Sequence, residues 1–409
     1  MRRGTNLPAV GEFNQAVILD RVRRSRDGLS RVELAELTGL SAQTVTNVSR
    51  RLIETGLVRE AGKRINGPGK PRTILQLEPE SRYAIGVHLD PAVITYVVLD
   101  LEGAVVAQSR ARTPSAARPP RLVESMAQAI TSLIAASGVR TEQILGLGIA
   151  APGPIDDALG VVVDPPLLSG WHRVPLRESL LEALGLPVLL EKDVTAAVAA
   201  ELWMHDEAGS DDVGFFYYGT GIGFGIAVDH APVRGSSGNA GDAGHIIVSD
   251  EGEVCRCGQR GCLGDLTLPR TVVQDAIARG VIAEPPRALT LPVIDELFGK
   301  VTAAAAAGDP DAVALIDELC RRFARGIVTI VNLLDLQRIV FGGPFWDRLA
   351  GVALDRVARY VADSPALIRL APISITSSAV GADVAAIGAA CLVLDNTFSP
   401  RPSTLLIRR

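Results

Sequence analysis

The sequence predicts an α/β protein in two unequal parts: a small helical module at the N-terminus and a larger body of strands and helices. Three observations carry this. Apolar residues keep a helical spacing to about residue 55 and switch to strand-like runs from Tyr83 onward. Residues 1–75 hold 14 Lys+Arg against 7 Asp+Glu, while the remainder holds 27 against 39. One end is therefore built to approach a polyanion and the other is not. With 409 residues and 47% apolar content, the chain has material for two or three domains with cores of their own. No apolar run reaches the roughly 18 residues of a membrane span. The opening MRRGTNLPAVGEFN is basic but has no signal-peptide stretch, and the cysteines are sparse. A reducing, cytoplasmic setting is expected.

In the first module, Asn14 to Arg24 puts Ala16, Ile18, Leu19 and Val22 on one helical face, and Gly28 ends the unit. Ser30-Arg31-Val32-Glu33 is a capping box opening a second helix, Arg31 to Thr38, expected to bury Val32, Leu34, Ala35 and Leu37. Gly39 supplies the turn and Ser41 caps a third helix, Ala42 to Thr55, with Val45, Val48, Leu52 and Ile53 inward. Gln43, Thr44, Thr46, Asn47, Arg50 and Arg51 then face outward, a mixture of groups suited to base edges and phosphates. A strand after Gly56 leads into a basic, turn-rich loop containing Lys63, Arg64, Lys70 and Arg72. Together these elements read as a winged helix-turn-helix over residues 1–80, with double-stranded DNA as partner. A helical interaction domain with a solvated basic face is the plainer alternative.

From Tyr83 the pattern gives AIGVHLD, ITYVVLDLEG and AVVAQSRA as strands, a helix near 121–137, and buried strands ILGLGIA and PVLLE, the latter feeding a helix near Thr195. A second strand set follows as VGFFYYG, GFGIAVD and HIIVSD, with helices over 267–335, a strand RIVFGG and a terminal helix near 380–395.

His245, Cys255, Cys257 and Cys262 form an H-x9-C-x-C-x4-C array beside Gly258 and Gly261. Three thiolates and an imidazole are the ligand set of a closed structural Zn²⁺ site, and turn glycines let backbone fold around the ion. Reduced surface thiols without metal are the alternative.

The same residues resemble the ROK family (repressors, open reading frames, kinases), whose members show an acidic-x-Gly-His step followed by C-x-C-G-x-x-G-C. Here these read Asp242-Ala243-Gly244-His245 and CRCGQRGC. LGLGIAAPGPID (145–156), EKDVTAAVAAE (191–201) and YGTGIGFGIAVD (218–229) are similar to the family's Pro-Gly loop, catalytic-Asp segment and second phosphate loop. The resemblance extends over most of residues 81–395 and implies two actin-like, ribonuclease H-like lobes. The first would be 81–195, completed by the helix at 380–395, and the second 196–379. Combined with the basic module, it points to regulators of the xylose- and N-acetylglucosamine-repressor type.

Departures from the family pattern shape the functional expectation. Where the family has D-x-G-G-T-K after the first strand, this chain has His88-Leu89-Asp90-Pro91-Ala92-Val93. One phosphate clamp is gone, and phosphoryl transfer depends almost wholly on positioning and charge stabilisation. The resemblance places Asp193 where a kinase's base would stand, here vestigial, and makes Lys192, Asp193, Asp242 and His245 the sugar contacts. The family's Asn before the Asp is Lys192, which leaves room for an acidic or phosphorylated sugar but could also pair with Glu191 or point to solvent. The family's Glu after the last cysteine is replaced by Gly264, with Asp265 one residue on. The expectation is a sugar-responsive DNA-binding regulator, more a repressor than an activator, acting as a homodimer or homotetramer without kinase activity. Two alternatives are an active ATP-dependent sugar kinase with an added DNA module, and a DNA-binding regulator whose effector is a partner protein.

Overall fold

The computed structural model describes residues 7–65, 71–114, 119–166, 168, 170–204, 212–285, 288–368 and 371–399. The N-terminal module comprises α1 (Leu7–Arg23), β1 (Leu29–Ser30), α2 (Arg31–Thr38), α3 (Ala42–Glu54), β2 (Val58–Arg64) and β3 (Arg72–Leu77), with an antiparallel sheet ordered β1-β3-β2. Helix α1 starts earlier than the apolar pattern implied, with Pro8 in its first turn, where the missing amide costs nothing. The capping box is formed: Glu33 N donates to Ser30 Oγ at 3.3 Å and Ser30 N donates to Glu33 Oε2 at 2.7 Å. Gly39, in the left-handed region at φ 69°, turns the chain from α2 into α3. Ile18, Leu19, Val22, Leu34, Val45, Leu52, Leu57, Leu75 and Leu77 make the core. Val32 and Leu37 do not join it, being 44% and 54% exposed. At 100° per residue Val32 lies roughly 160° around the helix from Leu34, and so short a helix buries a single narrow face.

The first sheet is built from β4 (Tyr83–Leu89), β5 (Val93–Asp100), β6 (Val105–Arg112), β7 (Ile144–Ala151) and β10 (Val188–Lys192), in the order β10-β7-β4-β5-β6. Helix α4 (Pro119–Ser137), the small hairpin β8 (Ile155–Asp156) and β9 (Val161–Val162), and α5 (Leu176–Leu184) lie between its strands in sequence. After α6 (Asp193–Met204) come β11 (Val213–Tyr218), β12 (Ile222–Val228), β13 (Ala231–Pro232), α7 (Leu263–Thr267), α8 (Pro269–Ala278), α9 (Leu291–Ala306) and α10 (Pro310–Leu334). Strand β14 (Arg338–Gly342), α11 (Pro344–Ala362) and β15 (Ser374–Ser377) complete a second sheet ordered β13-β12-β11-β14-β15. The last helix, α12 (Val384–Phe398), returns to lie on β4 and β7.

Between the two sheets lie two helices in contact: α12 on the first sheet and α6 on the second. Close approach is permitted by missing side chains. A Cβ on Gly148 would meet Ala389 O at 1.9 Å, one on Gly388 would meet Ala196 O at 1.7 Å, and one on Gly225 would meet Val194 O at 2.3 Å. These small-residue contacts bring each sheet and helix within backbone distance of the next layer.

The expected strand 245–250 is not formed. Ala243–His245 is a single 3-10 turn, and the segment pairs instead with the cysteine loop: Val248 N donates to Gly261 O and Leu263 N to Ile246 O, each at 2.8 Å. Helices α5 and α11 and the edge strand β15 were not expected from the sequence; β15 (SITS) alternates exposed and half-buried residues, a weak apolar signal. Among the described residues no helix is long and apolar enough to cross a membrane.

Candidate functional site

The ends of β4 and β10, the first turn of α6, the β11–β12 turn and the 3-10 turn at Asp242–His245 converge on a cavity of about 670 Å³. Its wall includes His88, Asp90, Lys192, Asp193, Thr220, Asp242 and His245, so all four expected sugar contacts are brought together. Gly264 and Asp265 also line it. Gly264 fits closely because its α carbon faces the 3-10 turn, where a Cβ would stand 3.1 Å from Gly244 O.

Asp193 opens α6, and its Oδ1 accepts from Val194 N at 2.8 Å. Burial raises its pKa above the ordinary carboxylate value, opposed by the charges of His88 and Lys192. Lys192 neither pairs with Glu191 nor reaches solvent. It is 8% exposed, and its Nζ donates to the carbonyls of Asn239 at 3.2 Å and Ala240 at 3.5 Å. Glu191 instead accepts from Arg234 Nε at 2.7 Å.

Two clasps close the cleft across its walls. Asp90 Oδ1 accepts from Ala92 N at 2.7 Å, holding the β4–β5 turn, while its Oδ2 accepts from Thr220 Oγ1 at 2.9 Å on the β11–β12 turn. On another side, Ile155 N donates to Asn239 Oδ1 and Asn239 Nδ2 donates to Ile155 O, both at 2.7 Å. Three glycines of the β11–β12 segment have packing roles: Gly219 faces the Tyr217 ring, 2.5 Å from where its Cβ would stand, Gly223 faces the Val194 side chain and Gly225 the α6 backbone, whereas Gly221 lines the cavity with nothing within 4 Å of its Cβ position.

His245, Cys255, Cys257 and Cys262 converge beside this cavity, their ligand atoms all within 4.8 Å of one another. His245 Nδ1 is 3.6 Å from Cys255 Sγ, and Cys257 Sγ is 3.5 Å from Cys262 Sγ. The cysteines are free thiols, and the four groups could hold a metal ion.

In the N-terminal module Gln43, Asn47, Arg50, Arg51 and Lys63 are exposed, while Thr44, Thr46, Arg64 and Arg72 are half-buried. Lys70 lies outside the described residues. Gln43 Nε2 donates to Asn47 Oδ1 at 3.2 Å, pre-ordering two amides on the outer face of α3. Thr46 is turned back on its own helix, donating to Ala42 O at 2.7 Å, and Arg64 donates to Asp27 O at 2.7 Å.

Sequence reasoning missed how this module meets the body. Arg23, near the end of α1, stacks over the Trp203 ring with Cζ 3.9 Å from its centroid and donates to Trp203 O at 3.0 Å. Arg24 Nη2 lies 2.5 Å from His230 Nε2, on the turn between β12 and β13. Asp20 accepts from both arginines. Contacts across 180 and 206 positions leave no local signal; only the unusual density of arginine in Arg21-Val22-Arg23-Arg24 marks the spot.

Comparison with known proteins places this geometry. The chain is 26% identical over 335 residues to a xylose repressor of Caldicellulosiruptor bescii, covering 81% of this chain and 83% of that one. It is 26% identical over 340 residues to the DNA-binding transcriptional dual regulator NagC of Escherichia coli, covering 83% and 82%. A crystal structure described as a ROK family transcriptional regulator, homolog of the E. coli MLC protein, superposes with TM-score 0.77 over 95% of this chain and 98% of that one, at 20% identity. A ROK glucokinase from Streptomyces griseus, solved with glucose and AMPPNP, gives TM-score 0.62 at 28% identity, over 76% and 98%. The sequence pattern of the ROK family matches residues 84–396, most of the chain, and the protein belongs to the ROK family.

Proposed function

We propose that this protein is a carbohydrate-responsive transcriptional repressor that has no kinase activity. The observation that carries this reading is the pairing of two features: an N-terminal module of three helices and a small antiparallel sheet with an exposed polar and basic α3, which we read as a winged helix-turn-helix, and a ROK cleft with a carboxylate, Asp90, in its first turn. Gln43, Thr44, Thr46, Asn47, Arg50 and Arg51 would meet a DNA operator in the major groove, with Lys63, Arg64, Lys70 and Arg72 on the wing. Two-fold operators ask for a dimer or a dimer of dimers. In the cleft, the Asp90 carboxyl group is buried and hydrogen-bonded across to Thr220. A triphosphate entering there would have to break that bond and sit beside a carboxylate in a low-dielectric site. Relatives named as sugar repressors support the regulator over the kinase.

The sugar would lie against Asp193 and Asp242, whose oxygens accept from its hydroxyls, with His245 offering Nε2. The other nitrogen of His245, Nδ1, faces Cys255. A Zn–S bond of about 2.3 Å in a tetrahedral site implies sulfur separations of about 3.8 Å, close to the 3.5 Å between Cys257 and Cys262, so the four residues fit a zinc ion. Zinc would supply structural cross-linking here, and no chemical step. Cys255, Cys257 and Cys262 would hold the loop, and His245 would orient its free ring edge toward the cavity.

Helix α6 is the proposed route from ligand to DNA. It runs about 18 Å from Asp193 in the cleft to Met204, ten of its residues are buried, and Trp203 near its far end carries Arg23 of α1. Because α1 also packs against α12, the helix lying on the first sheet, it is in contact with both lobes. A sugar that binds one lobe arrangement better than another therefore biases the orientation of the DNA-binding module. The test is a DNA selection from a random pool, followed by titration of the recovered operator with a sugar panel. Failure to recover any preferred sequence would overturn the regulator reading.

A further inference from the structure

Among the described residues, two hydrogen-bond donors in the cleft wall have no side-chain partner. Lys192 is more than nine-tenths buried, and among the described residues no carboxylate comes within 4.0 Å of its Nζ; its only contacts are the two long ones to the Asn239 and Ala240 carbonyls. Tyr217 is 4% exposed and lines the same cavity, and its hydroxyl has no hydrogen-bond partner among the described residues. Burial and the nearby charges of Asp90 and Asp193 raise the Tyr217 pKa well above its ordinary value, so the hydroxyl stays protonated and able to donate. An ammonium held by two neutral carbonyls, with Asp193 attracting it only from beyond ion-pair distance, keeps part of its burial cost until a closer counter-charge arrives. A neutral sugar hydroxyl would not repay that cost, whereas an anionic group would.

We propose that the ligand of this cleft is a sugar acid, whose carboxylate is received by Lys192 while its hydroxyls are held by Asp193 and Asp242. This rests on the carbohydrate reading above and narrows it to a chemical class. A carboxylate fits better than a phosphate because Asp90, Asp164, Asp193, Asp242 and Asp265 also line the cavity and outnumber its basic groups, Lys192, Arg256 and the imidazoles of His88 and His245. That field tolerates one negative charge beside the lysine and opposes two. The alternative role for Lys192, a structural clasp that only ties down the Asn239 loop, makes a different prediction.

The experiment uses the full-length protein and matched ligands: glucose, glucuronate and glucose 6-phosphate; galactose, galacturonate and galactose 6-phosphate; xylose and xylonate. Binding is read by calorimetry and by thermal shift. At least one sugar acid should bind more tightly than its neutral and phosphorylated counterparts. Its affinity should fall tenfold or more in Lys192→Met and be largely kept in Lys192→Arg, with the melting temperature of the ligand-free protein little changed. Lys192→Asn, which installs an amide of the kind common in the family, should lift any preference for the acid over the neutral sugar. Neutral or phosphorylated sugars binding best would overturn the proposal. So would an acid whose affinity is unchanged in Lys192→Met, or a Lys192→Met protein that loses thermal stability but not ligand preference, the signature of a clasp. If no member of the panel binds while operator DNA is still bound, the carbohydrate reading itself fails.

Discussion

Arg23→Ala should disconnect the cleft from the DNA-binding module while leaving both intact. The Arg23 side chain is 10% exposed, stacked 3.9 Å above Trp203 and bonded to the Trp203 carbonyl at 3.0 Å. A partly desolvated cation–π stack contributes about 1 kcal/mol, and a hydrogen bond from a charged donor about 1.5 kcal/mol. Losing the ion pair leaves no bare charge, because Asp20 keeps Arg24 at 2.8 Å, and it is not counted here. The interaction is thus worth about 2.5 kcal/mol, which caps the coupling passing through it at roughly 60-fold in affinity. The assay is fluorescence anisotropy of a labelled operator, with and without saturating effector. Ligand-free Arg23→Ala should bind operator nearly as the parent does, since α3 is untouched, yet its release by effector should shrink by up to that factor. Arg23→Lys, which keeps charge but loses the planar stack, should fall between. A full parental response in Arg23→Ala would refute α6 as the route.

Replacing Arg50 and Arg51 by Ala should lower operator affinity and reduce the salt dependence by about 0.9 in log–log slope for each phosphate no longer neutralised, whereas Gln43 or Asn47 substitutions should change the preferred sequence in a repeat selection. Elemental analysis should find about one zinc per chain, absent in Cys257→Ser together with the effector response; a metal-free protein that still responds fully argues against a scaffolding role. Asp193→Asn should keep operator binding and lose about 1.5–3 kcal/mol of effector affinity by calorimetry. ATP turnover on a sugar panel should be absent, and a rate on the order of 1 per second or more that vanished in Asp193→Asn would restore the kinase.

What could be read from the sequence follows the range of the interaction concerned. The Ser30–Glu33 box, the Gly39 turn and the cysteine spacing act over a few residues, and each is found as its residue types demand. Periodicity placed α3 and the core strands for the same reason. It failed for Val32 and Leu37, because apolar content alone does not say which side of a two-turn helix meets a neighbour. It failed again at 245–250, where apolar residues pair with the cysteine loop in place of a sheet. The environment of Lys192 was open in sequence between solvent, Glu191 and the cleft; the choice depends on Arg234 capturing Glu191 and on the Asn239 loop folding over the lysine. Neither partner can be named without the fold.

The turn after β4 and helix α6 together explain how one scaffold can support either catalysis or control. A kinase cleft must open to admit nucleotide and close to exclude water, so its two phosphate turns must be free to separate. Here Asp90 ties them together through Thr220. That bond gives the two walls a preferred relation before any ligand arrives. On the proposed reading, a ligand that favours a different relation must work against it, and α6, which starts at Asp193 in the cleft and ends under Arg23, would carry the change. Breaking the tie with Asp90→Ala should therefore loosen the lobes without creating a kinase, since the glycines and lysine of the family's first loop remain absent. Its operator affinity should drop toward the effector-bound value even with no sugar present, measured by the same anisotropy titration. Unchanged ligand-free operator affinity in Asp90→Ala would mean that the clasp plays no part in setting the DNA-binding state.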